Sequence, residues 1–468
     1  MSTSTISALE QVRRNRNWTR AKIEVLTNGL ITVPSLKRWE RGKGHPCDEN
    51  LEVLCRLFDL TPQELGYDRH VIIGATRNVP ITEETPTMSE YLRREIFSNP
   101  GSRLMSLINA WPRRDYRYQE LQGEINHTIV EYNTVVVQDS TYEQTRREAL
   151  KGLALMPILF TSQTQAGNRQ KIDADLLLKQ VAGGLTSCWH LRQGKDLTFV
   201  SETTSEYIKW LLPLLSSTSY AYQRASALLL SQCFRLKGSI TEHLHTRDQA
   251  IPYYREAINY GVVAESDIEQ ILANRMIALT YKMQGPRGYR QALPYAEKAY
   301  GLMEKTTPQF IRSFTASGLS SCQAVNGKTE DAKISVMEAR DLFDPGVSIP
   351  SMYYTESNLL AINAIVSRHY GDWTESIRLW KESLATPDIS ATGSVQGCIQ
   401  YAETEVLRDD KPRDMDLCIS LLTKGITGAR ELGSKMHENE AGEVYGLLRI
   451  AWPREEAVKR LGREHFGM

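Results

Sequence analysis

Apolar residues recur at three- and four-residue spacing over most of the chain, which is the pattern of amphipathic helices. From about Ile172 onward this pattern predicts one helix after another, separated by short segments that contain Gly, Pro, Asp or Asn. The strict alternation of apolar and polar residues that marks β-strands is nearly absent. The sequence therefore predicts an all-α protein.

Small residues recur at fixed positions around four glycines of this helical half. We assign Gly238, Gly285, Gly327 and Gly371 as turn markers. Seven residues before each glycine lies a small residue, and two more small residues, seven apart, follow it. In chain order these positions are Ser231, Ala250, Ala257, Ala278, Ala292, Ala299, Ser320, Ala332, Ala339, Ala364, Ser376 and Ser383. Small residues let two facing helices approach closely, so the spacing predicts antiparallel helix pairs.

The recurrence resembles the tetratricopeptide repeat, whose consensus places small residues at these offsets around a turn. The resemblance is best over 230–385. Weaker pairs flank it at 172–215, 392–431 and 435–465. Successive small positions lie 47, 42 and 44 residues apart, whereas the family period is about 34. We therefore expect extra residues in the turns, at Ser239–Gln249 and Pro286–Gly288. The resemblance implies a helical solenoid, and the alternative is an irregular helical bundle.

The first 70 residues predict four or five short helices. One of them begins at Thr32, which is a good N-cap, carries Pro34 in its first turn and stops at Gly42. A second amphipathic helix, Trp18–Leu26, precedes it, and another follows at Asn50–Asp59. These elements are short and closely spaced, which indicates a small helical domain.

The segment Ser35–Leu65 resembles the phage-repressor (XRE-like) type of helix-turn-helix domain. Its Trp-Glu-Arg-Gly turn and its closing Leu-Thr-Pro-x-Glu-Leu carry the resemblance. The resemblance implies a recognition helix that enters the major groove of DNA. One departure is the connection Thr27–Ile31, which is about two residues longer than the usual tight turn. The alternative is a helix-turn-helix fold used for protein contacts.

The charge of this segment agrees with nucleic-acid binding. The whole chain has 56 Lys or Arg and 56 Asp or Glu, but residues 1–43 carry nine Lys or Arg and only three Asp or Glu. Cationic side chains neutralise phosphates in duplex binding. The predicted DNA-binding residues are Arg20, Thr32, Val33, Ser35, Lys37, Arg38 and Arg41. Arg13, Arg14 and Arg16 are weaker candidates, and a solvated helix face is their alternative. One small domain reads few base pairs, which favours a homodimer on a two-fold operator.

The chain therefore divides into four predicted parts. Residues 1–70 form the helix-turn-helix domain, and residues 71–88, which mix Gly, Thr and Pro, form a linker. Residues 89–165 form a helical connecting region whose role is unclear. Residues 166–468 form the tetratricopeptide-like repeat domain.

The repeat register predicts which side chains line the concave face of the solenoid, because the first helix of each pair lines that face. The predicted ligand-binding residues are Gln232, Arg235, Arg275, Lys282, Ser317, Asn358 and Arg368, with Ser321 and His369 beside them. Four of these are permanent cations and none is acidic. Such a groove suits an extended peptide with acidic side chains or a free C-terminal carboxylate. The alternative is a set of ordinary surface residues.

The order of the two domains resembles the peptide-sensing regulators of Gram-positive bacteria, which act in quorum sensing. That resemblance implies a homodimer whose concave face binds a short signal peptide and thereby alters DNA binding. It is architectural, so the peptide ligand is an analogy. The other reading is a protein-interaction scaffold whose small domain does not bind DNA.

No motif for nucleotide binding, for a hydrolase nucleophile or for a zinc protease is present. We expect no enzyme activity, no cofactor and no metal site, and we place His243 and His245 in a surface loop and Cys188-Trp-His190 in a core. The seven cysteines show no C-x-x-C spacing, and the first residues, Met-Ser-Thr-Ser-Thr, are polar, so we expect no signal peptide. We therefore expect a cytoplasmic protein with reduced, mostly buried thiols and no membrane segment.

Overall fold

The fold is described from a computed structural model. The structure describes residues 7–16, 18–27, 31–46, 48–58, 60, 62, 64–67, 120–126, 147–148, 150–152, 154–155, 173–345, 354–387 and 389–467. The chain divides into two compact units, Met1–Asn99 and Pro100–Met468. The predicted linker 71–88 and the predicted boundaries at 70 and 165 lie outside the described residues and stay predictions.

The described part of the first unit holds four helices. They are α1 (Ala8–Asn15), α2 (Arg20–Leu26), α3 (Val33–Glu40) and α4 (Asp48–Phe58). Their apolar faces meet in one core, whose most deeply buried side chains are Leu9, Ile23, Ile31, Leu36, Leu51, Leu54 and Phe58. The short helices predicted from apolar spacing are confirmed.

Side chains and a glycine set the ends of α3. The Thr32 hydroxyl accepts a hydrogen bond from the Ser35 amide at 3.4 Å, which satisfies a donor that the helix leaves free. Gly42 adopts a positive φ of 66° just past the helix, where a side chain would be strained. Thr27 Oγ1 accepts from the Ile31 amide at 3.1 Å and so holds the two ends of the connection together.

The second unit continues as helix after helix. The numbered helices are α5 (Ala174–Leu191), α6 (Leu197–Leu211), α7 (Tyr220–Leu244), α8 (Arg247–Val263), α9 (Asp267–Lys282), α10 (Pro286–Gly301), α11 (Gln309–Val325), α12 (Thr329–Asp341), α13 (Glu356–His369), α14 (Trp373–Ala385), α15 (Ala391–Leu407), α16 (Met415–Leu432), α17 (Lys435–Ala451) and α18 (Glu456–Phe466). A 3₁₀ turn, Leu212–Ser216, follows α6. The described residues include no strand, so the predicted all-α class is confirmed.

Consecutive helices of the second unit pack in pairs, α7 with α8, α9 with α10, α11 with α12, α13 with α14, and α15 with α16. The small residues predicted at the crossings are buried throughout. Ser231 Oγ donates to the Ala257 carbonyl at 2.7 Å, and Ser376 Oγ donates to the Ala364 carbonyl at 2.7 Å. A small side chain at each crossing therefore lets the backbones approach, and the tetratricopeptide-like solenoid is confirmed.

Three of the four predicted turn glycines lie at turns. Gly285, Gly327 and Gly371 have positive φ angles of 73°, 75° and 82°. The assignment of Gly238 was wrong, because α7 continues through it to Leu244. A Cβ there would lie 2.6 Å from a ring atom of Tyr254, so the glycine makes room for an aromatic ring and not for a turn.

The extra turn residues were also misplaced. Residues 239–244 are the last part of α7, and 286–288 are the first residues of α10. The long helix α7 absorbs the insertion that we assigned to a loop. The length of α7 therefore contributes to the spacing of 47 residues between Ser231 and Ala278.

Part of the connecting region 89–165 belongs to the core of the second unit. Leu121 and Ile125, on the helical residues 120–126, are fully buried in the same cluster as α5, α6 and α7. The guanidinium of Arg147 donates two hydrogen bonds of 2.8 Å to Asp196, and the Tyr207 hydroxyl donates to the Ala154 carbonyl. The described residues of this region thus pack onto the first helices of the solenoid.

Six of the seven cysteines are described, and all six are buried free thiols, as expected; Cys47 lies outside the described residues. Cys188 lies inside α5, in the predicted core. Within the described ranges, no helix combines the length and the apolar character that crossing a membrane requires.

Candidate functional site

The outward face of α3 carries exposed cations. Lys37, Arg38 and Arg41 are exposed, and so is Lys43 just beyond the helix. None of the four forms an ion pair with any residue that the structure describes. Val33 and Ser35 are half-buried in the first turn of the same helix, beside the Thr32 cap. The predicted residues of α3 therefore share one helix whose cations are open to solvent.

The inward face of α3 ends in a buried carboxylate. The side chain of Glu40 is fully buried and accepts from Arg13 Nε at 2.5 Å and from Arg20 Nε at 2.6 Å. Arg13 also donates to the Trp18 carbonyl at 2.8 Å. Because Arg13 lies on α1 and Arg20 on α2, one carboxylate ties α1, α2 and α3 together. These ion pairs hold α3 in its orientation relative to α1 and α2.

The predicted DNA-contact residue Arg20 therefore has an internal partner, as does the weaker candidate Arg13. The side chain of Arg20 is 30% exposed, and its Nη2 also lies 3.8 Å from a carboxylate oxygen of Glu10. Arg16 donates to the Phe58 carbonyl at 2.5 Å and lies over the rings of Trp18 and Phe58. The exposed cations with no ion pair are thus concentrated on and just after α3.

The second unit encloses a cavity of about 220 Å³. Its wall comes largely from α7, α9, α11, α13, α15 and α17, which confirms that the first helix of each pair lines the inner face. Helices α7 and α8 contact α17: His243 Nδ1 lies 2.8 Å from Oγ of Ser434, the N-cap of α17, and Arg247 pairs with Glu440. The Thr392 hydroxyl donates to the Gln193 carbonyl at 3.3 Å. These contacts join the beginning of the solenoid to its end.

The nine residues predicted for the concave face divide into two sets. Five line the cavity, namely Arg235, Arg275, Lys282, Ser321 and Asn358. The other four, namely Gln232, Ser317, Arg368 and His369, do not. Gln232 donates to Glu269 at 3.1 Å, and Arg368 donates to Glu403 at 2.8 Å. The cavity thus brings five of the nine together, and a ligand-binding role stays a prediction for all nine.

The expectation of a groove without acidic partners was also incomplete. Arg235 is buried and pairs with the buried Glu269, Nη2 to Oε2, at 3.1 Å. Its guanidinium lies 5.2 Å from the ring centre of Trp189. Glu242 lines the cavity and accepts from the Thr280 hydroxyl. Burial raises the pKa of Glu242.

Three cations of the cavity wall, Arg192, Arg275 and Lys282, form no ion pair with any described residue. Arg275 donates from Nε to the Phe314 carbonyl at 2.8 Å and lies over the Phe314 ring. Burial, together with Arg275 and Arg368 nearby, lowers the pKa of Lys282 to about 8. Burial likewise lowers the pKa of Arg275 to about 10. The cavity wall therefore holds three cations that form no ion pair with a described residue.

The placement of His243 in a surface loop was wrong. It is buried at the end of α7, and the Nη2 of Arg192 lies 3.1 Å from its Nε2. Because a guanidinium can only donate, Nε2 accepts, and Nδ1 carries the hydrogen that points to Ser434. Burial and the charges of Arg192, His437 and Arg247 lower the pKa of His243 well below its usual value.

Sequence reasoning missed the wall residues Arg192, Glu242, His243, Arg247 and His437. They come together because α7 meets α17, about 190 residues later in the chain, and local periodicity contains no signal for that contact. Among the described residues, no group of three potential ligands could hold a metal ion.

Comparison with known proteins bears on the first unit. Residues 1–65 match the family model described as helix-turn-helix. This agrees with the phage-repressor resemblance and with the four helices. No curated protein matches the chain. A solved structure described as "Crystal structure of APC/C hetero-tetramer Cut9-Hcn1" is 12% identical, with a TM-score of 0.32, and the match covers 98% of this chain and 89% of that chain.

Proposed function

We propose that this chain is a sequence-specific DNA-binding transcriptional regulator that places α3 in the major groove of double-stranded DNA. The observation that carries the proposal is the outward face of α3. Lys37, Arg38 and Arg41 are exposed there without an ion pair to a described residue, on a domain that matches the helix-turn-helix family. Exposed cations on such a helix suit phosphates and the acceptor edges of guanine.

We assign different DNA contacts to the first turn of α3 and to the residues that follow it. Val33 and Ser35 lie in its first turn, which is the part of a recognition helix that contacts base edges. Lys37, Arg38 and Arg41 follow, and we assign them to base edges and phosphates. Since one such domain reads few base pairs, we infer a homodimer on a two-fold operator.

The repeat unit supplies the regulation in this proposal, by binding a peptide or protein ligand at its inner face. Its cavity lies beside the contact between α7 and α17, so an occupant can favour one arrangement of that contact over another. A ligand can change DNA binding only if it has different affinities for two states of the protein. The His243–Ser434 and Arg247–Glu440 contacts are the ones that such a change would alter.

The experiment is DNA binding by the full chain over a salt series, with fluorescent DNA from its own promoter. Arg38→Glu is compared with Lys298→Glu, which makes the same charge change at an exposed position of α10. We expect selective, salt-dependent binding that Arg38→Glu abolishes and Lys298→Glu retains. Equal binding by both variants, or no sequence selectivity, would favour the protein-interaction scaffold.

A further inference from the structure

The cavity of the second unit has both buried cations and apolar side chains in its wall, and this combination indicates the class of its ligand. On one side lie Arg275 and Lys282, two helical turns apart on α9, which is about 10 Å along the helix axis. Both are buried, and both act on the thiol of Cys322, whose pKa they lower against the effect of burial. Both cations therefore belong to the part of the cavity wall that α9 forms.

Neither cation forms an ion pair with a described residue. Lys282 is 6% exposed, lines the cavity, and makes neither an ion pair nor a hydrogen bond to any described side chain. Arg275 uses Nε for the Phe314 carbonyl, which leaves its terminal nitrogens for another acceptor. Burying a charge without a partner raises the free energy of the folded protein. An anion that enters the site lowers that free energy.

The space for the Arg275 side chain depends on a glycine. A Cβ at Gly318 would lie 2.7 Å from Arg275 Nε. Gly318 is inside α11, where it otherwise weakens the helix. The missing side chain thus allows the guanidinium to lie against α11 and beside the cavity.

The wall also holds other charged side chains, of which Arg235 pairs with Glu269 and Arg247 pairs with Glu440. Much of the remainder is apolar or uncharged. Leu272, Met276, Leu279, Ile362 and Ile365 line the cavity together with amide side chains. Glu242 also lines it and would repel a multiply charged anion. An apolar wall beside two cations suits a singly charged group with a hydrocarbon body better than it suits inorganic phosphate. A volume of about 220 Å³ accommodates a small molecule or the last residue of a peptide.

We propose that the inner cavity binds a small amphipathic carboxylate, with the carboxylate held by Lys282 and Arg275 and the hydrocarbon against the apolar wall. The carboxylate can come from a free organic acid or from the C-terminus of a short peptide. This names the ligand class of the regulatory site, so its role in regulation rests on the proposed function. Binding itself is measured without DNA, and the two can fail separately.

The test is isothermal titration calorimetry of the full chain with four probes. N-acetylleucine represents a peptide C-terminus, hexanoate represents a free acid, and N-acetylleucinamide and inorganic phosphate are the controls. Binding of N-acetylleucine but not its amide supports the proposal and indicates a chain end, whereas binding of hexanoate alone supports it and indicates a free acid. Equal binding of the amide, binding of phosphate alone, or no binding of either carboxylate would overturn it.

The variants separate a binding role from a structural one. We expect Lys282→Met to weaken carboxylate binding by about ten- to a hundredfold, the range of a charged hydrogen bond. Lys298→Met removes the same charge from the exposed face of α10 and should leave binding unchanged. If Lys282 had only a structural role, Lys282→Met would lower the stability of the protein. We expect instead that ligand-free Lys282→Met melts at a higher temperature than the ligand-free wild type. Unchanged affinity in folded Lys282→Met would contradict the assignment.

Discussion

The chain presents two sets of cations in opposite environments. On α3, Lys37, Arg38 and Arg41 are exposed, and water solvates their charges. In the cavity, Arg275 and Lys282 are buried and form no ion pair with a described residue. Without DNA, the exposed cations add little to the free energy of the protein. Without a ligand, the buried cations raise that free energy. An unpaired charge therefore indicates a ligand most strongly where it is buried, because water does not solvate it there.

The largest effect concerns the buried carboxylate that orients the exposed set. Glu40→Gln leaves Arg13, which is 7% exposed, without its charge partner and weakens the link to Arg20. We expect the first unit to lose about 3 kcal/mol of unfolding free energy, because breaking a buried ion pair strands the remaining charge. Urea unfolding followed by circular dichroism measures this. Glu24→Gln on α2 is the control, and an equal loss there would contradict the role of Glu40.

The second prediction contrasts the two sets directly. Lys282→Met should stabilise the ligand-free protein by about 2 kcal/mol at pH 7, because it removes a buried charge. Lys37→Met should change stability by no more than about 0.5 kcal/mol, since its charge is solvated. Chemical denaturation gives both values.

The difference in stability between the wild type and Lys282→Met should also depend on pH. The pKa of Lys282 in the folded protein is about 8, below the usual 10.5, so the unfolded chain binds more protons between these values. The wild type should therefore gain stability relative to Lys282→Met as the pH rises from about 8 to about 10.5. A constant difference over that window would show that Lys282 is not held in a desolvated site.

The third prediction tests the joint between α7 and α17. The pKa of His243 is lowered well below 6.5 by burial and neighbouring cations, so the unfolded chain binds its proton first as the pH falls. Stability should therefore fall below pH 6.5, by about 1.4 kcal/mol per pH unit for one proton. His369, with a pKa of about 4, adds to this loss, while the raised pKa values of Glu242 and Glu443 oppose it.

The single-residue contribution is isolated by His243→Gln, which can accept from Arg192 without titrating. We expect the variant to lose less stability than the wild type between pH 6.5 and 5. Thermal unfolding over that range measures the difference. Identical slopes for the two proteins would contradict a buried, neutral His243.

The smallest effect is on the exposed set. Lys37→Gln should leave the fold unchanged and reduce the slope of log affinity against log salt by about 1, as expected for one lost phosphate contact. Lys298→Gln, at an exposed position of α10, is the control and should keep the slope. An unchanged slope in Lys37→Gln would place that residue away from the DNA backbone.

Sequence reasoning succeeded where the determinants are local. The Thr32 cap, the Gly42 stop and the buried small residues of the crossings follow from neighbouring residues, and the structure has them. The first helices of the pairs were also assigned correctly to the inner face.

It failed where distant segments meet. Gly238 looked like a turn because its packing against Tyr254 leaves no local trace. His243 looked exposed because its partners, Ser434 and His437, lie at the far end of the solenoid. Arg20 looked free because the carboxylate it binds is on another helix. In each case the deciding contact is one that spacing along the chain does not encode.

We propose that α3 binds DNA and that the cavity controls this binding. The most direct measurement is the DNA affinity of the full chain with and without N-acetylleucine, for the wild type, Arg38→Glu and Lys282→Met. We predict that the ligand changes the wild-type affinity, that Lys282→Met binds DNA but does not respond, and that Arg38→Glu binds ligand but not DNA. A Lys282→Met protein that responds like the wild type, or an Arg38→Glu protein that binds DNA equally well, would contradict the claim.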